Sequence, residues 1–175
     1  NAGQTCVAPD HVLVHREVAQ PFVEALTRRI KDFYGEDAAQ SPDYCRIASD
    51  RHTARFAKLL EGQKIHHGGR VDVARRFVEP TIVLDPSPDS ELMTEEIFGP
   101  VLPIRVVDDL DEALALANNS EYGLTSSVFT QNLNAAMKAA NGLRFGETYI
   151  NREHFEAMQG FHAGRRKSGI GGADG

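Results

Sequence analysis

The apolar positions in the first third of the chain predict one strand and two helices. The segment His11–His15 is short and rich in β-forming residues, as expected for a buried strand. In Glu17–Tyr34 the apolar residues recur with helical spacing, and Gly35 follows as a stop signal. Ser49 is placed to cap a second helix that runs through Leu60. A strand and two amphipathic helices therefore open the predicted fold.

The middle of the chain predicts short strands separated by loops. Phe77–Leu84 has the character of a strand, but Pro80 interrupts it, which places this strand at a sheet edge or gives it a bend. Asp85–Thr94 is rich in proline, aspartate and serine and predicts a loop. The nearly continuous apolar run Val101–Val107 predicts a buried strand.

After that strand the pattern alternates between helix and strand. Asp109 or Asp111 caps one helix, and Gly142 ends the next. Strands are predicted at Gly123–Thr130 and Gly146–Asn151. Such alternation is typical of an α/β fold with a mostly parallel sheet, right-handed crossovers and flanking helices.

Composition and charge narrow the class of protein. The chain has 175 residues, of which 41% are hydrophobic and 25% charged, as in an ordinary globular domain. A net charge of -6 argues against nucleic acid and against an anionic membrane as partners. No apolar run has the length of a membrane span. Cys6 and Cys45 do not form a disulfide framework, and we therefore expect a cytoplasmic protein.

The two ends of the sequence predict a segment of a longer protein. The chain opens without methionine, inside the motif that contains Cys6, and it ends just after a glycine-rich run. We interpret residues 1–175 as one catalytic domain of a larger polypeptide.

Three stretches contain the residues with catalytic or binding potential. They are the segment around Cys6, the segment Glu95–Pro100, and the long segment Asn151–Gly172, which is rich in Gly, His, Arg and Glu. Ligands of parallel α/β sheets bind at the carboxyl ends of the strands, so we expect these stretches to converge there. Long irregular segments of this kind are often functional.

The thiols and imidazoles allow more than one interpretation. Cys6 is either a nucleophile or a buried apolar residue, because free cysteine is among the most buried residue types. Cys45 is interpreted as structural. His52, His66 and His67 lack partners at the spacing of metal ligands, so no metal site is predicted.

Several short motifs, in order and at their spacings, resemble those of NAD(P)-dependent aldehyde dehydrogenases. Gly3-Gln4-Thr5-Cys6 is similar to the cysteine signature of that family, and Glu96-Ile97-Phe98-Gly99-Pro100 is similar to its second signature. Two further pieces, Tyr122-Gly123-Leu124 and Lys167-Ser168-Gly169, fall where the family has similar ones. The resemblance covers essentially the whole chain and implies the catalytic domain of the aldehyde dehydrogenase fold.

This resemblance implies a reaction and a set of residues for it. Cys6 would be the nucleophile that attacks an aldehyde to form a thiohemiacetal and then a thioester, with NAD or NADP as the hydride acceptor. Glu96 would bind the ribose next to the nicotinamide, and Phe98 would pack near the nicotinamide ring. The alternative for Glu95 and Glu96 is a solvated acidic pair, which suits Glu95 better.

The third stretch resembles that of bacterial lactaldehyde/glycolaldehyde dehydrogenase. Glu156 and His162 are therefore candidates for hydrogen bonds to a substrate hydroxyl, and Phe161 for a wall of the substrate site. The substrate would be a small hydroxyaldehyde such as lactaldehyde or glycolaldehyde. The alternative is that Glu156 and His162 only staple the loop.

The resemblance also implies parts that residues 1–175 do not contain. The Rossmann-type cofactor domain, the glutamate general base, the oxyanion asparagine and the strand that joins subunits are absent from the sequence. We therefore expect the chain alone to be inactive and the full-length protein to be a homo-oligomer. A second hypothesis is a non-catalytic α/β fragment with an inert, buried cysteine.

The resemblance differs between the two parts of the chain. Residues 1 to about 104 resemble class 3 aldehyde dehydrogenases, whereas residues from about 122 onward resemble the lactaldehyde type. Natural divergence and an engineered chimera both explain such a mosaic.

Overall fold

The computed structural model describes residues 1–153, 160 and 162–170. The chain divides into two compact units, Asn1–Val106 and Val107–Gly175. None of the helices in the described part of the chain is long and apolar enough to cross a membrane.

The first unit contains three helices and six strands among its described residues. They are β1 (Val12–His15), α1 (Arg16–Tyr34), α2 (Asp50–Leu59), β2 (Ile65–His67), β3 (Val71–Asp72), β4 (Phe77–Val78), β5 (Thr81–Leu84), α3 (Glu91–Thr94) and β6 (Val101–Val107). Four of the strands form a sheet in the order β1-β6-β5-β2, and β3 pairs with β4 in a small separate ribbon.

The central pair of this sheet is parallel. Residues Thr81 to Leu84 of β5 lie opposite Val101 to Ile104 of β6, and the short β2 pairs with β5 in the antiparallel direction. Because successive side chains of a strand point to opposite faces, Ile82 and Val83 of β5 enter two different cores.

Each face of the sheet is covered by a helix. Ile82 and Ile104 pack with Val23 and other apolar residues of α1, while Val83 and Val101 pack with Phe56, Leu59 and Leu60 of the α2 segment. Phe56 is fully buried. The predicted apolar stripes of both helices therefore point into cores, as the spacing of their residues indicated.

The second unit is a smaller α/β assembly. Its elements are α4 (Leu110–Asn118), β7 (Thr125–Val128), α5 (Leu133–Gly142), β8 (Glu147–Ile150) and a 3₁₀ turn at Arg166–Ser168. Strands β7 and β8 are parallel, with Thr125 to Val128 opposite Glu147 to Ile150. The predicted α/β class is thus confirmed, and the antiparallel pairs β2–β5 and β3–β4 each include a strand of only two or three residues.

Most predicted helix boundaries are confirmed by their caps. The Ser49 hydroxyl accepts a hydrogen bond from the amide of His52 at 3.2 Å, and an Asp109 carboxylate oxygen accepts one from the amide of Glu112 at 2.9 Å. Ser49 and Asp109 are therefore the N-caps of α2 and α4, and Asp111 is not a cap.

Three predictions about the strands and loops need correction. The single strand predicted at Phe77–Leu84 is two strands, β4 and β5, separated by Pro80. Of the two predicted alternatives the structure has the bend, because β5 lies inside the sheet between β2 and β6. The loop predicted at Asp85–Thr94 contains the short helix α3, which opens after Ser90. Finally, β6 pairs within the first unit, whereas β7 pairs with β8, so helix–strand alternation alone did not identify the sheet partners.

Candidate active site

Cys6 lies in the irregular segment that precedes β1, and its side chain is exposed. The neighbouring Val7 is buried, with 7% of its surface accessible, and anchors the segment. The amide of Ala8 donates to the carbonyl of Thr5 at 3.1 Å and closes a turn around the thiol. The hypothesis of a buried Cys6 is therefore wrong. Cys45 is exposed as well.

The side chain of Gln4 fastens this segment to a distant part of the unit. Its amide nitrogen donates to the carbonyls of Asn1, at 2.9 Å, and Arg46, at 3.1 Å. Its amide oxygen accepts from the backbone N–H of Ala48 at 2.9 Å. A glutamine two residues before the cysteine thus acts as a structural anchor, because it can donate and accept simultaneously.

Two contacts join the cysteine segment to the Glu95–Pro100 segment. Gly3 has a φ of 71°, and a Cβ at this position would overlap the carbonyl oxygen of Gly99. Asp10 accepts a hydrogen bond from the amide of Ile97 at 3.2 Å. The first two predicted stretches therefore meet, and the absence of a side chain at Gly3 makes their close backbone approach feasible.

Glu96 and Phe98 are exposed on either side of a buried residue. Ile97, between them, has only 1% of its surface accessible and belongs to the core around Phe56. Phe98 has a φ of 49°, which is unusual for a residue with a side chain. The buried Ile97 fixes this segment, so that the carboxylate and the aromatic ring next to it point away from the core.

Helix α2 holds the backbone of this segment through two side chains. Arg55 donates to the carbonyls of Glu96, at 2.8 Å, and Ile97, at 3.0 Å. The Nε2 atom of His52 donates to the carbonyl of Phe98 at 2.9 Å. His52 and Arg55 lie three residues apart and therefore on one face of the helix. Neither residue lies in one of the three predicted stretches, although their helical spacing is visible in the sequence.

Behind the cysteine segment lies a small aromatic core. Ala2 packs against a cluster that contains Tyr44 and Phe77. The Tyr44 hydroxyl donates to the carbonyl of Val78 at 2.7 Å, and burial raises the pKa of this phenol. Ala2 itself has a φ of 55°, so its left-handed conformation is supported by packing on both sides.

An adjoining cavity of about 270 Å³ separates the cysteine segment from helix α1. Gly3, Ala8, Ile30, Tyr34 and Pro100 are among its lining residues, which do not include Cys6 or Glu96. The cavity is therefore distinct from the exposed surface on which the predicted nucleophile lies.

In the second unit, His162 is bonded to a glutamate that sequence analysis did not select. Its Nδ1 atom forms a hydrogen bond with the carboxylate of Glu147, and the hydroxyl of Tyr149 donates to the other oxygen of the same carboxylate. The His162 and Glu147 side chains are 17% and 12% exposed. Glu156 and Phe161, the other two predicted substrate residues, lie outside the described residues.

The segment after His162 is fastened tightly to the rest of the second unit. A Cβ at Gly146 would overlap the carbonyl oxygen of Ala163, so the two backbones are in direct contact. The amide of Arg165 donates to the carbonyl of Gly123 at 2.8 Å, and the hydroxyl of Ser168 accepts from the amide of Gly123 at 3.1 Å. His162 therefore follows a strand and precedes a well-anchored turn.

The charged side chains of this turn also have structural partners. Arg166 donates to the backbone carbonyls of Asn118, at 2.9 Å, and Ser120. Lys167 pairs with Glu121, whose carboxylate raises the pKa of the lysine ammonium group. Within the part of the chain that the structure describes, there is no group of three or more His, Cys, Asp or Glu side chains suited to a metal ion.

Comparisons with known proteins agree with the motifs and with the fold. The profile of the Aldehyde dehydrogenase family matches residues 1–175. Lactaldehyde dehydrogenase of Escherichia coli (strain K12) is 47% identical over 183 aligned residues, which cover 100% of this chain and 38% of that protein. The dimeric NADP-preferring aldehyde dehydrogenase of Rattus norvegicus is 49% identical over 132 residues, or 75% of this chain and 29% of that protein.

A solved structure of lactaldehyde dehydrogenase superimposes with a TM-score of 0.90 at 45% sequence identity. The alignment covers 100% of this chain and 38% of that structure, so the chain spans well under half the length of these relatives. The family match extends over every residue of the sequence, including the exposed Cys6 and the segment that packs against it. The chain therefore belongs to the aldehyde dehydrogenase family.

Proposed function

We propose that this chain is the nucleophile-bearing part of an enzyme that oxidises a small hydroxyaldehyde, such as lactaldehyde or glycolaldehyde, to the carboxylate with NAD or NADP. The observation that carries the proposal is the 47% identity with lactaldehyde dehydrogenase across the whole chain. Support comes from the exposed thiol of Cys6 on a segment that both Gln4 and Gly3 hold in place.

In this proposal Cys6 performs the covalent step. Its thiolate attacks the carbonyl carbon of the aldehyde, and a carbon–sulfur bond forms as the carbonyl π electrons move to oxygen. The backbone N–H of Cys6 donates a hydrogen bond to that oxygen. After the carbon loses hydride it becomes a thioester, and water then releases the carboxylic acid and restores the thiol.

The residues near Gly99 fit a nicotinamide cofactor, which when bound would accept the hydride. Glu96 presents an exposed carboxylate, which can accept hydrogen bonds from the two hydroxyls of a ribose. Phe98 is 39% exposed and can pack against a planar ring. The relative from rat is named as NADP-preferring, and the proposal includes both NAD and NADP.

The preference for a hydroxyaldehyde is assigned to the loop that contains His162. We propose that His162 and Glu156 hydrogen-bond the substrate hydroxyl and that Phe161 forms a wall of the substrate site. A buried polar group that is built to meet a hydroxyl is left unpaired by an analogue without one, so such analogues are rejected.

The test compares glycolaldehyde with propanal as substrates of the full-length protein. We expect kcat/KM for glycolaldehyde to be higher by roughly a hundredfold. Preference for propanal would contradict the roles of Glu156 and His162, and failure to reduce either cofactor with both aldehydes would contradict the proposed function. The 175-residue polypeptide alone is expected to produce no NADH, and measurable NADH would contradict that expectation.

A further inference from the structure

We propose that Glu147 is a positioning residue that fixes the tautomer and orientation of His162 and thereby sharpens selection for hydroxyaldehydes. This inference rests on the proposed function, in which His162 meets the substrate hydroxyl. It adds a residue, on strand β8, that neither the sequence motifs nor the comparisons assign to the site.

Strand geometry places the carboxylate of Glu147 between two donors. Glu147 and Tyr149 are two residues apart on β8 and therefore project from the same face of the strand. Tyr149 donates its hydroxyl proton to one carboxylate oxygen, and the Nδ1 atom of His162 is bonded to the other. One acidic group thus joins the strand to the loop.

Glu147 and His162 are largely buried, so the hydrogen bonds of the carboxylate contribute more to its stability than they would at the surface. Only 12% of the Glu147 side chain and 17% of the His162 side chain are accessible to solvent. A carboxylate removed from water is costly unless donors replace its hydration, and hydrogen bonds to a charged acceptor are stronger than neutral ones. The contact between Gly146 and Ala163 keeps the backbones of the strand and the loop at a fixed separation.

The bond to Glu147 determines which nitrogen of His162 carries the proton. An ionised carboxylate only accepts hydrogen bonds, so Nδ1 of the neutral imidazole must be its N–H donor. The second nitrogen, Nε2, is then left with a lone pair. That atom can accept a hydrogen bond from a substrate hydroxyl, whereas an aldehyde without a hydroxyl offers it no donor.

Substitution of Glu147 by methionine separates this proposal from a purely structural role. Methionine is close in length to glutamate but offers no strong acceptor to Nδ1 of His162. The imidazole proton is then no longer held on Nδ1, while the new side chain still fills the space beside the histidine.

The first experiment is nitrogen NMR on the full-length protein labelled with ¹⁵N-histidine, with the His162 signals assigned by their loss in H162Q. We expect the wild-type protein to carry the proton on Nδ1 and E147M to lose that preference. Wild-type His162 protonated on Nε2, or an E147M spectrum identical to that of the wild type, would overturn the assignment of Glu147.

The second experiment measures kcat/KM for glycolaldehyde and propanal in E147M, with E121M as the control. Glu121 belongs to the same unit but forms an exposed ion pair with Lys167. For E147M we expect a loss with glycolaldehyde about tenfold greater than with propanal, and for E121M equal small changes. If kcat/KM falls equally for both aldehydes in E147M, Glu147 has only a structural role and the proposal is wrong.

A failure of this proposal can be distinguished from a failure of the proposed function. If the wild-type protein oxidises neither aldehyde, the proposed function is wrong, while the tautomer measurement still decides whether Glu147 controls His162. If E147M does not fold, the tautomer of His162 in the wild-type protein decides the question alone.

Discussion

The two units hold their candidate functional residues by different means. In the first unit the contacts that fix the segments of Cys6 and Glu96 end mostly on backbone groups: the Gly3–Gly99 approach and the carbonyls bound by Arg55 are examples. In the second unit, His162 is held by a side-chain carboxylate, that of Glu147. A contact to a backbone group depends on the path of the whole segment. A contact to a side chain can be changed by substituting a single residue.

This difference suits the two proposed tasks. A nucleophile must have one position relative to the carbonyl and the cofactor, so rigid backbone contacts are an advantage. Selection among aldehydes depends on hydrogen bonding to a hydroxyl, which a change at one side chain can alter. We therefore expect substitutions in the first unit to affect all substrates and those around His162 to affect their ranking.

The largest expected effect is that of Gly3→Ala. The new Cβ would overlap the Gly99 carbonyl, and alanine would have to adopt a left-handed φ. We expect the free energy of unfolding to fall by about 2–3 kcal/mol. The turnover of all aldehydes should fall with it. Gly62→Ala is the matched control, because Gly62 has a φ of 70° but no neighbouring atom within 4 Å of the Cβ position.

Denaturant unfolding of the two alanine variants measures the difference. The control should lose only about 1 kcal/mol, the strain of a left-handed alanine. Equal losses in both variants would mean that the Gly3–Gly99 approach contributes nothing to the stability of the cysteine segment.

Arg55→Met should have the next largest effect. It removes the hydrogen bonds to the carbonyls of Glu96 and Ile97, so the proposed cofactor residues lose their support. We expect the KM for the cofactor to rise about tenfold with a smaller change in kcat, as measured by steady-state kinetics. Arg51→Met, an exposed arginine on the same helix, is the control. Equal KM values in the two variants would contradict this role of Arg55.

Tyr44→Phe tests the support behind the cysteine segment. Loss of the hydrogen bond to the Val78 carbonyl should lower the free energy of unfolding by about 1–2 kcal/mol at neutral pH. The pKa of this phenol is raised in the folded state, so its contribution is complete below the ordinary value of 10.0 and is lost as the pH rises above it.

Unfolding curves at neutral pH and above pH ~10 check the Tyr44 prediction. The wild-type protein should lose stability more steeply than the variant in the alkaline range, because only its unfolded state can release the Tyr44 proton there. Parallel curves for the two proteins would show that Tyr44 titrates equally in both states.

Local features of the fold could be predicted from the sequence. Helix α2 starts where Ser49 predicted, and α4 starts after Asp109, one of the two predicted caps, because a cap and its amide partner are only three residues apart. The turn at Pro80 was also visible, since proline cannot continue a strand ladder. The position of β5 inside the sheet was not, because strand order depends on contacts between distant segments.

The same limit applies to the candidate site. The family resemblance selected Cys6, Glu96 and His162 as candidates, but the residues that contact them are far away along the chain: Arg55 lies 41 residues from Glu96, and Glu147 lies 15 residues from His162. Nothing in a residue's own neighbourhood encodes such pairings. The amphipathic spacing of His52 and Arg55 could have indicated a shared face, but not what that face binds.

The hypothesis of a chimera gains no support from the relatives. One protein, lactaldehyde dehydrogenase of Escherichia coli, matches the whole chain, whereas the rat enzyme matches 75% of it. A chain that is similar to one relative over its whole length does not need to be explained as a fusion of two different proteins. Natural divergence is therefore sufficient to explain the mosaic, and an engineered origin stays an untested hypothesis.

The central claim, that Cys6 is the nucleophile, is tested most directly by trapping the covalent intermediate. The full-length protein is mixed with glycolaldehyde and cofactor, quenched in acid and digested, and the peptides that contain Cys6 and Cys45 are compared by mass spectrometry. Both thiols are exposed, so Cys45 controls for accessibility. We predict an acyl adduct on Cys6 that requires the cofactor. An adduct on Cys45 instead, or full turnover in Cys6→Ser, would contradict the account.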